Sequence, residues 1–244
     1  MRKFFQWLLL GGVVAFFLCS GYTYVFSYTA VTVTNGGTIS GTVTYVGTAQ
    51  APKVIQINKD VEVCGKEPHH DQSLVVGANK GVADVIVSIT NVQQGKGVDA
   101  LGATFTIDQR VCVYRPHVQI IPVNAPVKIL NNDGILHNIH TFSVKNPPFN
   151  KAQPKFKKEM TETFKVPELV PVKCDAHGWM SAYLKVVDHP YHAVTDANGK
   201  YTIKDVPPGT YTVEFWQETL KTQTKQVTVQ AGATATLDLQ YPAK

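Results

Sequence analysis

Apolar and polar positions alternate with a period of two along much of this 244-residue chain, as expected of strands with one buried face. In the segment ISGTVTYV, Ile39, Gly41, Val43 and Tyr45 alternate with Ser40, Thr42, Thr44 and Val46, and ADVIVSIT, Ala83 to Thr90, predicts a second strand. From Ala103 the segments ATFTI, VCVY, HVQIIP and APVKIL predict a run of strands, with Val118 to Pro122 and Val127 to Leu130 joined as a hairpin through a turn at Val123, Asn124 and Ala125. At the C-terminal end, TDANGKYTI, PPGTYTVEFW, KTQTKQVTV and ATATLDLQYP predict four more, separated by an Asn198-Gly199 turn, a Pro-Pro-Gly turn and an Ala-Gly-Ala turn. The fold class is therefore all-β.

Two stretches break the alternation. Tyr28 to Thr38 is polar and β-prone and reads as a linker, whereas Lys53 to Gly81 carries Cys64, His69 and His70 with few periodic apolar positions. Adjacent histidines on an extended segment point to opposite faces, and this pair is expected to be solvated rather than chelating. The 18 glycines and 14 prolines fit a fold with many turns. A net charge of +5, with no nucleic-acid-binding motif, excludes nucleic acid as the expected partner.

The N-terminal residues are expected to form a hydrophobic helix that targets or anchors the chain. Arg2 and Lys3 precede an apolar run from Phe4 to Tyr28, and the next charged residue is Lys53. Positive charge before the run keeps the start of the chain inside and sends the rest across the membrane. The expected location is periplasmic or extracytoplasmic. Residues 1–28 serve as a signal peptide or as an inner-membrane anchor over residues 4–28, since the run is long enough to span and Leu8 to Leu18 would also serve as a signal core.

The candidate chemistry lies in two segments, LHNIH at Leu136 to His140 and CDAHGWM at Cys174 to Met180. His137, Cys174, His177 and Met180 supply two imidazoles, a thiolate and a thioether, the donor set of an electron-transfer copper site. Cysteine counting agrees. With Cys19 in the N-terminal segment, the exported part keeps Cys64, Cys112 and Cys174, an odd number in an oxidising compartment. Pairing Cys64 with Cys112 leaves Cys174 free to be a thiolate; the alternative gives Cys64 or Cys112 to a second metal.

The succession YRPHVQIIPVNAPVKILNNDGILHNIH resembles the first half of cupredoxins, and VKCDAHGWMSAYLKVVD resembles their closing copper loop and last strand. The two-residue gaps on either side of His177 match the short-loop amicyanin type, not the longer plastocyanin spacing. The resemblance implies a Greek-key β-sandwich in which His137, Cys174 and His177 are in-plane ligands of one type 1 copper, Met180 is the long axial ligand, and Asn138 ties the His137 loop to the segment carrying Cys174. The C-terminal strands resemble the transthyretin-like, carboxypeptidase regulatory-like sandwich, and GTISGTVTYV and VADVIVSIT resemble its missing front strands. The implied domains are residues 29–91, linker and first strands of the regulatory-like sandwich; 92–188, the cupredoxin; and 189–244, the remaining strands.

The resulting expectation is a non-enzymatic electron carrier exchanging single electrons with a c-type cytochrome or a membrane electron-transfer complex. A copper-delivery protein and a structural subunit of an envelope complex are the alternatives. Lys145, Lys151, Lys155, Lys157, Lys158 and Lys165, against Glu159 and Glu162, form either a solvated basic loop or a surface that steers an acidic partner. His140 is expected to be structural, His117 to support the site from behind, and Trp179 either to pack or to offer an apolar contact. The sequence offers no constellation of nucleophile, base and oxyanion donors.

Overall fold

The computed structural model describes residues 28–48 and 51–243. The predicted N-terminal helix lies outside them, and among the described residues no helix is long and apolar enough to cross a membrane.

Strands before residue 91 and after residue 189 together build one sandwich. In its first sheet Gly37–Tyr45 is central, antiparallel to Lys200–Val206 and parallel to Thr234–Thr236 and Leu239–Tyr241. The second sheet runs in the order His192–Val194, Ile86–Ile89, Gly209–Gln217, Lys221–Val229. Ile39, Val43, Ile203, Val213, Phe215 and Tyr241 meet between them. Gly41 stands where a Cβ would come within 2.1 Å of the Leu237 carbonyl, so the alternation needs a residue without a side chain there. The turn at Asn198-Gly199 closes with Gly199 at φ +74°, the left-handed region that glycine enters without strain.

The second unit is also two sheets. One runs Glu159–Glu162, Val127–Asn131, Phe105–Gln109, Tyr114–Arg115, and the other Asn150–Gln153, His137–Thr141, Glu168–Lys173, Ser181–Val187, Val118–Pro122. Each contains one parallel pairing, Phe105–Gln109 with Val127–Asn131 and Val118–Pro122 with Ser181–Val187. Ile107, Ile121, Ile129, Ile139, Val172 and Leu184 fill the space between the sheets.

The expected hairpin of Val118 to Pro122 with Val127 to Leu130 does not form, because these strands lie in different sheets. Pro122 and Pro126 flank the turn and lack the amide protons a hairpin ladder would use, and Asn124 (φ 62°) carries the chain across instead. The segment VCVY is a strand only at Tyr114–Arg115. Val111 and Cys112 both have positive φ and point successive amides at the Asp133 carboxylate. The linker reading of Tyr28 to Thr38 needs a similar correction. Thr29–Ala30 pairs with Gln94–Gly95, and the Tyr28 hydroxyl donates to the Lys96 carbonyl at 2.5 Å.

Residues 53–71 are not an unstructured loop. Val54–Ile55 pairs antiparallel with His69–His70, and between them Val61–Cys64 forms one helical turn. Cys64 is joined to Cys112 by a disulfide with a Cα–Cα distance of 5.1 Å, as the cysteine count anticipated, and Cys174 is free and buried. His69 is buried, its Nε2 2.6 Å from the Cys64 carbonyl, rather than solvated; His70 is exposed on the opposite face, as alternation requires.

Candidate metal centre

The four predicted donors converge at one end of the second sandwich. His137 opens the strand His137–Thr141, and its approach is set by buried Asn131, whose side-chain amide donates to the carbonyls of Ile135 and Gln153, both at 2.8 Å. Cys174 follows directly on the strand Glu168–Lys173, and Met180 directly precedes Ser181–Val187. The turn between them closes on itself. The Met180 amide donates to the His177 carbonyl at 3.0 Å and the Cys174 amide to the Met180 carbonyl at 3.3 Å, so two adjacent antiparallel strands hold three of the donors in fixed relation.

His137 Nδ1 and His177 Nδ1 lie 3.0 Å apart, and the Cys174 sulfur is 3.9 and 3.8 Å from them. All three residues are buried, as is Met180 at 2% exposure. A triangle with these edges accommodates one ion at ordinary metal–nitrogen and metal–sulfur bond lengths of about 2.0 and 2.3 Å. The rings are oriented for that purpose. His137 Nε2 is held 2.8 Å from Asp133 Oδ2, and His177 Nε2 2.8 Å from Asp60 Oδ2, which leaves both Nδ1 atoms turned toward the sulfur. Carboxylates on the far side of ligating imidazoles fix tautomer and orientation. The donor set and its geometry fit a type 1 copper site.

Asn138 links the strand of His137 to the segment that carries Cys174. Its Oδ1 accepts from the amides of Asp175 (2.7 Å) and Ala176 (3.2 Å) and from the Cys174 thiol (3.3 Å), and its amide group donates to Asn150 Oδ1 at 2.6 Å. Two further residues were missed by sequence reasoning. Asp133 lies four positions before His137, and that spacing was an available signal; its other contacts are the amides of Val111 and Cys112. Asp60 is separated from His177 by 117 positions, and nothing local announces it.

Charge is shared within the cluster before any metal arrives. Burial works against a charged His137, but the Asp133 carboxylate and the Cys174 sulfur outweigh it and raise its pKa to about 9. Burial likewise opposes the Cys174 thiolate, yet hydrogen bonds from His137 and His177 bring that pKa down to about 6. The thiolate that metal binding requires is thus already favoured at neutral pH.

The remaining histidines stay outside the triangle. His140 pairs with Asp175 at 3.0 Å and stacks on Phe142. His117 is engaged elsewhere: its ring bonds the Ser181 carbonyl at 3.1 Å and Glu218 at 2.8 Å, joining the two sandwiches. Trp179 is partly buried, donates to the Cys112 carbonyl at 3.1 Å and lies with its ring centroid 5.2 Å from that of His177.

Two mixed sheets with this donor cluster at one end define a cupredoxin fold. Residues 181–242, about a quarter of the chain, match the family model of the carboxypeptidase regulatory-like domain. That match begins at Ser181–Val187, a strand of the cupredoxin sheet. Among solved structures, the chain is similar to a copper-containing nitrite reductase from Thermus scotoductus SA-01, at 22% identity over 34% of this chain and 22% of that one, TM-score 0.32. The chain therefore spans about a fifth of that enzyme. A purple cupredoxin from Nitrosopumilus maritimus aligns at 21% identity over 34% of this chain and 99% of that one, TM-score 0.30. An oxidised amicyanin variant aligns at 15% over 48% and 93%, TM-score 0.31. No curated protein matches the sequence.

Proposed function

We propose that this chain is an exported type 1 copper protein that passes single electrons between redox partners. The observation that carries the reading is the buried triangle of two inward-facing imidazole nitrogens and one sulfur, with Met180 on the same short loop. Copper, when bound, supplies a one-electron couple between Cu(II) and Cu(I). The protein's part is to keep its donors still. His137 and His177 are braced by carboxylates, and Cys174 is braced through Asn138, so a change of oxidation state requires little movement of the chain. Burial of every donor excludes water from the centre. It also disfavours the copper-delivery alternative, in which a ligand must open to hand the ion on.

The partner is a redox protein of the extracytoplasmic space, such as a c-type cytochrome or a membrane electron-transfer complex, and residues 4–28 hold the chain at the membrane when they are retained. The test is the visible and EPR spectrum of the purified protein after one equivalent of Cu(II), with Cys174→Ser alongside. An intense thiolate-to-copper band with narrow copper hyperfine splitting, lost in the variant, is expected. A weak spectrum indifferent to Cys174 would remove the proposal.

A further inference from the structure

Electrons must leave the centre through one of its ligands. Both imidazoles are buried with a carboxylate on Nε2, Asp133 (4% exposed) behind His137 and Asp60 (40% exposed) behind His177, and they differ in the chain segments beside them. Residues 53–71 lie over His177. Asp60 caps its Nε2, Lys59 Nζ donates to the Ala176 carbonyl at 2.9 Å, and both disulfide sulfurs lie within 4.8 Å of a His177 ring nitrogen. Ile57 and Val63 pack on the same core. Next to His137 along the chain is Leu136, which is 52% exposed.

The neighbouring turn supplies the rest of a surface. His137 is paired with Gln153, which sets Pro154 to Lys158 beside the His137 loop, and the Asn131 amide donates to the Lys158 carbonyl at 2.9 Å. Phe156, at the tip of this turn, is 82% exposed, with Lys155 and Lys157 on either side and Lys158 next. None of the three ammonium groups pairs with a carboxylate among the described residues. The nearby acids are engaged elsewhere, Asp133 on His137, Glu159 with Lys128 and Glu162 with Lys151. An apolar centre with a charged rim is the anatomy of a protein-docking patch, and here the rim has one sign.

A rival patch at Val144 and Val166 is set too far away. Val144 is bonded to Glu168, six positions from Cys174 along an extended strand, or about 20 Å at 3.3 Å per residue.

The geometry points to Leu136 and Phe156, rimmed by Lys155, Lys157 and Lys158, as the face on which a redox protein with an acidic rim docks and exchanges electrons through His137. This rests on the copper reading above. Each event moves one electron, reducing Cu(II) to Cu(I) as the partner's metal is oxidised by one, with no bond made or broken in either protein.

The experiment is stopped-flow bleaching of the blue Cu(II) protein by hexacyanoferrate(II), an anionic one-electron donor, and by hexaammineruthenium(II), a cationic one. The triple variant Lys155→Glu, Lys157→Glu, Lys158→Glu is compared with a charge-matched control, Lys200→Glu, Lys204→Glu, Lys225→Glu, on the other sandwich. At low salt the first triple should slow hexacyanoferrate about tenfold or more and accelerate the ruthenium reagent, while the control moves either rate by no more than about twofold. The difference should collapse in 1 M salt, where screening acts over about 3 Å. With the blue band intact, equal effects of the two triples overturn the docking face alone, and so does slowing by Val61→Glu on the segment over His177 without slowing by the first triple. A parent protein that shows no blue band overturns the copper reading and the docking face together.

Discussion

Removing the disulfide between Cys64 and Cys112 tests how the segment over His177 is held. Apart from the cross-link, residues 53–71 are tied to the metal-bearing sandwich by the packing of Ile57 and Val63 and by a few polar contacts, those of Lys59 and Asp60 foremost. The cross-linked residues are 48 positions apart, and the chain-entropy relation for a closed loop of that length gives about 4 kcal/mol of stabilisation. The double variant Cys64→Ala, Cys112→Ala should therefore lose about 2 to 4 kcal/mol in urea unfolding of the metal-free protein, analysed by linear extrapolation. Deleting two buried sulfurs adds a packing loss of its own, so the parent protein is also reduced chemically, which breaks the cross-link and keeps the atoms. In both cases the amides of Val63 and Cys64, which donate to the Asp60 carbonyl, should lose hydrogen-exchange protection before the strands Ser181–Val187 and Glu168–Lys173 do. A loss below about 1 kcal/mol in both forms, with Val63 and Cys64 still protected, would refute the argument, because the segment would then be held by packing alone.

Three other outcomes are expected. Met180→Leu should keep the blue colour and raise the reduction potential in voltammetry, since a weak axial thioether is replaced by none; an unchanged potential would show that Met180 is not an axial ligand. Asn138→Ala removes the acceptor shared by Cys174, Asp175 and Ala176 and should weaken copper binding by about 10- to 100-fold in a competition titration, with unchanged affinity counting against the bracing role. His117 has a pKa above its ordinary 6.5: burial opposes the charge, but Glu218 and then Asp84 outweigh it. The protonated ring is thus favoured by folding, and its contribution is complete below pH 6.5 and lost as pH rises through the folded value. In metal-free protein His117→Gln should flatten that part of the stability profile above pH 6.5; a profile identical to the parent's would remove the linkage.

What could be read from the sequence was what is local along the chain. The segment Cys174 to Met180 is seven residues long, and its donor types and spacing mark it as a candidate metal site wherever it folds, while the alternation in Gly37–Tyr45 or Gly209–Gln217 gives both strand and buried face. What could not be read depends on partners far away in sequence. Val118–Pro122 and Val127–Asn131 look like a hairpin because they are adjacent, and only their pairings with Ser181–Val187 and Phe105–Gln109 decide otherwise. The segment VCVY has strand composition, but the Asp133 carboxylate captures its amides and turns the backbone to positive φ. Residues 53–71 gave no periodic signal because they cover a site instead of contributing a sheet face.

That last segment changes what the rest of the structure means. A centre whose two histidines are both braced by carboxylates, one of them carried on a cross-linked element from another part of the chain, is held rigid from outside as well as from its own loop. The two sandwiches reinforce this. The chain passes from one to the other and back, and His117 bridges the Ser181 carbonyl, next to Met180, to Glu218 of the regulatory-like sheet. Tyr183 packs edge-on against Trp216 alongside it, at 4.9 Å between ring centroids. The start of the strand Ser181–Val187 is therefore held by both units. The regulatory-like sandwich thus contacts the strand that follows Met180 without supplying a donor to the cluster.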